Sequence, residues 1–203
     1  MSTRPHRSQR VGKVPSTVAK WVQYVLGFGV SVAIGLAPFL GKVNVPLFTP
    51  MLSLIPQSIQ DIAIPISATA MGIVAVVVQW YGAEHLQKSW LQARFFQTLA
   101  ICVAALATLT AIEMLAVIRI DVPAVGGVAS FAVGVVHPHS EPCVALSRAD
   151  CVRILTFDEA KVASYFGEMQ VNLTKLTLVL TYTVFMCSFG SLVGLLMLAG
   201  RLK

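Results

Sequence analysis

Charge is what this chain has least of. Only 12% of its 203 residues are Asp, Glu, Lys or Arg, about half the share found in soluble domains. Acids are the scarcer sign, nine against fifteen bases. Its four cysteines include no C-x-x-C pair, which counts against catalytic thiol exchange. Its four histidines all fall outside the long apolar runs, and no nucleophile–base pair, metal motif or glycine-rich phosphate loop is present. The sequence therefore reads as non-enzymatic, with no cofactor. The net charge of +6 does not by itself indicate nucleic-acid binding, and none is expected, because the bases cluster around apolar blocks.

Those blocks are what the chain does have. Hydrophobic residues make up 56% of it and its mean hydropathy is +0.77. Four runs, Trp21 to Gly41, Ile62 to Gly82, Phe95 to Ile118 and Thr174 to Gly200, each reach the roughly 20 residues that cross a bilayer as a helix. Unpaired backbone groups are too costly in lipid for any other conformation of a lone segment. The expected fold is an all-α membrane protein, a four-helix transmembrane bundle. Residues 1–20 form a basic tail, and residues 21–118 hold spans one to three. A small α(+β) domain follows over 119–172, and residues 173–203 hold span four with a short C-terminus.

Orientation follows from the bases. Arg4, Arg7, Arg10, Lys13 and Lys20 precede span one with no acid among them, which places that tail in the cytoplasm. Four crossings return Arg201 and Lys203 to the same side. Trp21, Trp80 and Trp90 then fall at the cytoplasmic interface, a depth that suits amphipathic rings. Span one is too long for a signal-peptide core, and Pro38 follows the best cleavage candidate, Ala37, so the tail is expected to be retained. The first outer loop carries Pro46, Pro50 and Pro56 and reads as a short interfacial element. The segment from Val122 to Val136 is too short for a span and contains Pro123, Gly126 and Gly127. A short hairpin or membrane-surface segment suits it better.

Residues 119–172 are then extracytoplasmic, in an oxidising medium where disulfides persist. Cys143 and Cys151 read as a structural bridge, whose short loop predicts about 2.5 kcal/mol of stabilisation. His137, His139, Glu141 and Cys143 could surround a soft metal, but H-x-H in a proline-stiffened turn is a weak pattern, and no metal is expected. A helix is expected over Leu155 to Met169. Thr156 and Glu159 form its capping box, and Val162, Tyr165, Phe166 and Met169 recur as one apolar face. Asn172 to Thr174 is a sequon too close to the bilayer to be a good acceptor.

Within the membrane, small residues at every fourth position allow helices to approach closely. Such ladders are Gly27, Ser31 and Gly35 in span one, Ala100, Ala104 and Thr108 in span three, and Gly190 and Gly194 in span four. They suit packing within a bundle or between copies, and a homo-oligomer is expected. Cys102 and Cys187 read as small hydrophobes. Glu113 is the one acidic residue inside a predicted span, and intramembrane ionisable residues mark functional candidates. It is expected to hydrogen-bond Thr177 and Thr181 of span four, or else to pair with Arg119. On the cytoplasmic side, Lys88, Trp90 and Arg94 form a candidate docking surface.

Function follows this layout. A bundle that displays a bridged outer domain and basic inner segments suits sensing on one side and docking on the other. Two alternatives remain: a channel or small-transporter subunit using Glu113, and a membrane thiol oxidoreductase, which lacks its C-x-x-C. In length, in the four runs and in the segment between spans three and four, the chain resembles the four-span membrane subunit of the bacterial Kiwa anti-phage system. The resemblance lies in architecture and not in a motif, so it transfers no site residues. It implies an oligomeric inner-membrane sensor that works with a soluble cytoplasmic effector.

Overall fold

A computed structural model describes residues 55–84, 87–122, 127–136, 138 and 141–200. Within them the chain forms α1 (Gln57–Glu84), α2 (Lys88–Ala116), β1 (Val117–Val122), β2 (Gly127–Ala132), α3 (Arg148–Ile154), α4 (Glu159–Phe166) and α5 (Glu168–Gly200). Span one, with Gly27, Ser31 and Gly35, lies outside the described residues, as do the basic tail and most of the first outer loop.

The apolar runs at spans two to four become α1, α2 and α5. Three stretches are long and apolar enough to cross a membrane, Ile59–Val78, Lys88–Ala116 and Glu168–Ala199, which is the mark of an integral membrane protein. Each helix extends past the run that announced it. α2 begins at Lys88 instead of Phe95, and α5 at Glu168 instead of Thr174. Hydropathy stops where polar residues begin, but helical hydrogen bonding does not, so the polar turns Lys88 to Arg94 and Glu168 to Asn172 continue the same rods. At 29 residues, α2 is about 43 Å long, more than the hydrocarbon thickness, so it tilts or projects beyond it. Pro65 sits inside α1 without ending it. The Ser67 hydroxyl donates to the Ile64 carbonyl at 3.1 Å and the Thr69 hydroxyl to the Pro65 carbonyl at 2.8 Å.

α5 is the central rod and packs along both α1 and α2. Their shared core holds Ile59, Ala63 and Met71 of α1, Cys102, Ala105 and Leu109 of α2, and Leu178, Tyr182, Phe185 and Met186 of α5. The outward faces of all three remain apolar, as at Ile62, Ile73, Phe96, Val103, Leu180 and Val184, which is how a lipid-facing surface differs from a soluble one.

At Val117 the chain leaves α2 and becomes a strand. β1 and β2 pair antiparallel, with Ile118 opposite Phe131, Arg119 opposite Ser130 and Ile120 opposite Ala129. Alternation along β1 turns Ile118 and Ile120 to a core and leaves Arg119 and Asp121 exposed. The Val122–Val136 segment thus supplies one arm of a hairpin.

Beyond the hairpin, the helix expected over Leu155 to Met169 is a correction. That stretch opens on the turn that follows α3 and contains all of α4 and the start of α5. The cap is also reassigned. Thr156 and Phe157 both take positive φ, 57° and 59°, so Thr156 cannot serve as N-cap. Asp158 does so, its carboxylate accepting from the backbone N–H of Ala160 at 2.9 Å. Aspartate caps as well as threonine, and sequence alone did not separate the two. Gly167, at φ +90°, ends α4 in the left-handed region that favours glycine. The break moves Met169 off the predicted apolar face. Val162 and Phe166 are buried, whereas Met169 is 85% exposed.

Candidate functional site

The candidate site is the bridged module between α2 and α5, together with the contacts that seat it on the helix ends. Its core is separate from that of the bundle. Ile120, Phe131 and Val133 come from the hairpin, Cys143, Cys151 and Val152 from the bridged turn and α3, and Val162 and Phe166 from α4. Phe131 and Phe157 bring their rings to 6.1 Å. A segment of this length gains such a core only because the hairpin lies against the two short helices.

Cys143 and Cys151 are joined, with their Cα atoms 5.1 Å apart. Both are fully buried, so the bridge is part of the module's core. α3 positions the second cysteine. Ser147 is its N-cap, the hydroxyl accepting from Asp150 N–H at 3.2 Å, and Cys151 then faces inward one turn later. Apolar periodicity does not announce this short helix, although Ser147 followed by an acid three residues on is a recognisable start signal. His137 and His139 lie outside the described residues. Glu141 is exposed, Cys143 is committed to the bridge, and no group of three metal-ligating side chains occurs among the described residues.

Arg148 is the second residue that sequence reasoning missed. Its guanidinium donates to the Leu115 carbonyl at 2.8 Å and to the Gly134 carbonyl at 3.1 Å. Leu115 is in the last turn of α2, whose carbonyls lack helical partners and attract cations. One side chain therefore fastens α3 to the end of α2 and to the hairpin exit. Val133 N–H and Gly134 N–H both donate to the Ala116 carbonyl, at 2.9 and 3.2 Å, which closes the same corner. On the far side, Lys175 of α5 pairs with Glu159 of α4 at 3.1 Å.

Glu113 belongs to this seat. It lies one turn from the end of α2 and binds the Arg119 guanidinium of β1. The chain turns back at Val117, so a residue six positions on is nearer than the threonines of α5. The Thr177 hydroxyl donates instead to the Leu173 carbonyl at 2.7 Å, and Thr181 is half-buried one turn further along. Arg119 also lines a cavity of about 210 Å³ with Gln57 and Gln60 of α1 and Val128 and Ser130 of β2. Hairpin and bundle meet there.

At the opposite end of the rods, Arg94 stacks its guanidinium over Trp90 at 5.9 Å and donates to Gln97 at 3.0 Å. Lys88 is exposed on the first turn of α2. Between the two ends, the small residues of α5 are occupied by α1. A Cβ on Gly190 would come within 2.5 Å of Met71 Cγ, and one on Gly194 within 3.1 Å of Val78 Cγ1. The α2 ladder of Ala100, Ala104 and Thr108 is exposed. Cys102 is buried and Cys187 half-buried, both as free thiols.

No family model, curated protein or solved structure matches this chain.

Proposed function

We propose that this chain is a non-catalytic, oligomeric membrane sensor that holds its bridged module outside the cytoplasm and docks a soluble effector at its inner end. In this reading it is a four-span inner-membrane protein with both termini in the cytoplasm, and its architecture makes an anti-phage role like that of the Kiwa membrane subunit the leading candidate. The observation that carries the reading is the separation of the two ends. A stapled module with its own core is seated on one end of three apolar rods, and Lys88, Trp90 and Arg94 cluster at the other. A signal received by the module has a short mechanical route inward, because Arg148 and the Glu113–Arg119 pair tie the module to α2. The exposed small residues of α2 offer a seam on which a neighbouring helix could pack closely.

The channel reading has less support. Glu113 lies at the rim of the bundle and is partnered by Arg119, whereas an ion path would need it deeper and among polar groups. For the thiol oxidoreductase reading, the buried bridge lacks the access that exchange requires.

Sidedness is the decisive test. Ala145→Cys places a thiol on an exposed position of the module, and Gln87→Cys places one at the inner end. In intact cells, an impermeant maleimide should label Cys at 145 and leave 87 untouched until the membrane is permeabilised. The reverse pattern overturns the proposal.

A further inference from the structure

At the end remote from the module, an open groove of about 270 Å³ runs between α2 and α5, beside the contact of Leu91 with Leu195 and Leu198. Leu91, Phe95 and Phe96 wall it on one side and Leu195, Leu196 and Ala199 on the other. The walls are hydrocarbon. The lining residues of α2 sit about 5 to 12 Å along the helix from its first residue, and Trp80 and Trp90 lie close to the same helix ends, the level at which such rings mark the edge of the hydrocarbon.

The mouth has the opposite character. Lys88 lies three residues before Leu91 and four before Gln92, so it stands one turn above the groove on the same face of α2, and it is exposed. No acid occurs from Lys88 to Ile112 or from Met169 to Lys203, whereas Arg94 lies near the mouth in sequence and Arg201 and Lys203 follow α5 directly. Gln87 places no side chain over the first N–H groups of α2, which adds to the positive potential there.

We propose that this groove is a binding site for an anionic phospholipid, one acyl chain lying between α2 and α5 and the phosphate held at Lys88. Apolar walls favour hydrocarbon, and the exposed ammonium of Lys88 at the mouth favours an anion. An anionic phospholipid joins the two at the separation the groove sets, and basic pockets beside membrane helices bind such headgroups. The site goes beyond the proposed sensing role and does not depend on which side of the membrane this end faces.

The test uses the purified full chain in nanodiscs of mixed phosphatidylglycerol and phosphatidylcholine, released into native mass spectrometry. Without any effector present, its failure is distinct from a failure of the sensor reading. Wild type should retain phosphatidylglycerol over phosphatidylcholine by about fivefold, the effect of one lysine near an anionic surface. Lys88→Gln should abolish that preference and keep phosphatidylcholine retention unchanged. Leu196→Trp, which fills the groove from an exposed position, should lower retention of both lipids. Equal retention by wild type, or an unchanged preference in Lys88→Gln, overturns the proposal. So does a Leu196→Trp chain that changes oligomeric mass while keeping its lipid, since the groove would then hold another chain. Should Leu196→Trp not fold, Lys88→Gln, a change at an exposed position, decides the matter alone.

Discussion

Single residues carry the junctions of this molecule, and two of them make sharp predictions. Gly190 faces Met71 at a distance no Cβ can share, so Gly190→Val should separate α5 from α1 and cost about 1–3 kcal/mol. Unfolding in detergent by sodium dodecyl sulfate titration reads this directly. Gly72, with nothing near its absent Cβ, is the control. Gly72→Ala should be neutral or stabilising by up to about 1 kcal/mol, the helix preference of alanine over glycine. The cap of α4 gives the second prediction. Asp158→Ala should cost about 1 kcal/mol, seen as faster amide exchange over α4, whereas Thr156→Ala should leave that exchange unchanged because its hydroxyl caps nothing in α4. Equal effects would restore the capping box.

Among the elements, the hairpin, α3 and α4 form a unit with its own core cluster, joined to the bundle through Val171 of α5 on one side and Val117 of β1 on the other. The bridge spans eight positions, and loop closure puts its contribution at about 2.5 kcal/mol. A chain with both Cys143→Ala and Cys151→Ala should therefore lose protection over 117–166 by that amount, measured by hydrogen exchange. The helical content of α1, α2 and α5 should stay intact. If the three rods melted together with the module, the two cores would be one cooperative unit. How legible these elements were depends on their kind. The Val122–Val136 segment declared itself non-helical through Pro123 and the paired glycines, and its short length ruled out a span. α3 carries only about one turn of apolar residues, too few to set up a helical period. The break at Gly167 was hidden because Phe166 and Met169 stand three residues apart in a spacing that suits one helix, although the chain turns between them.

At the scale of the whole molecule, the three apolar rods among the described residues surround a core organised by α5, and the module rests on one end of them. Glu113 tests what this arrangement is for. Its carboxylate is taken by Arg119, so Glu113→Gln should loosen the hairpin and leave ion permeability of reconstituted vesicles unchanged. A Glu113-dependent flux would instead establish the channel reading. The pair is partly solvent-exposed, and salt screens such contacts, so the loosening is expected to be small and to shrink further as ionic strength rises.

What the amino-acid order determined by itself was the set of local consequences of solvent and chain length. Apolar runs of this length form helices in lipid whatever surrounds them, and cysteines at positions 143 and 151 are close enough in sequence to meet without help from the rest of the fold. Tertiary structure decided everything that depends on which distant groups become neighbours. It made α5 the central rod, gave Glu113 to Arg119 instead of Thr177, set Met71 against Gly190, and placed Arg148 on the end of α2. Those choices rest on packing and charge between segments many residues apart, and no pattern within one segment encodes them.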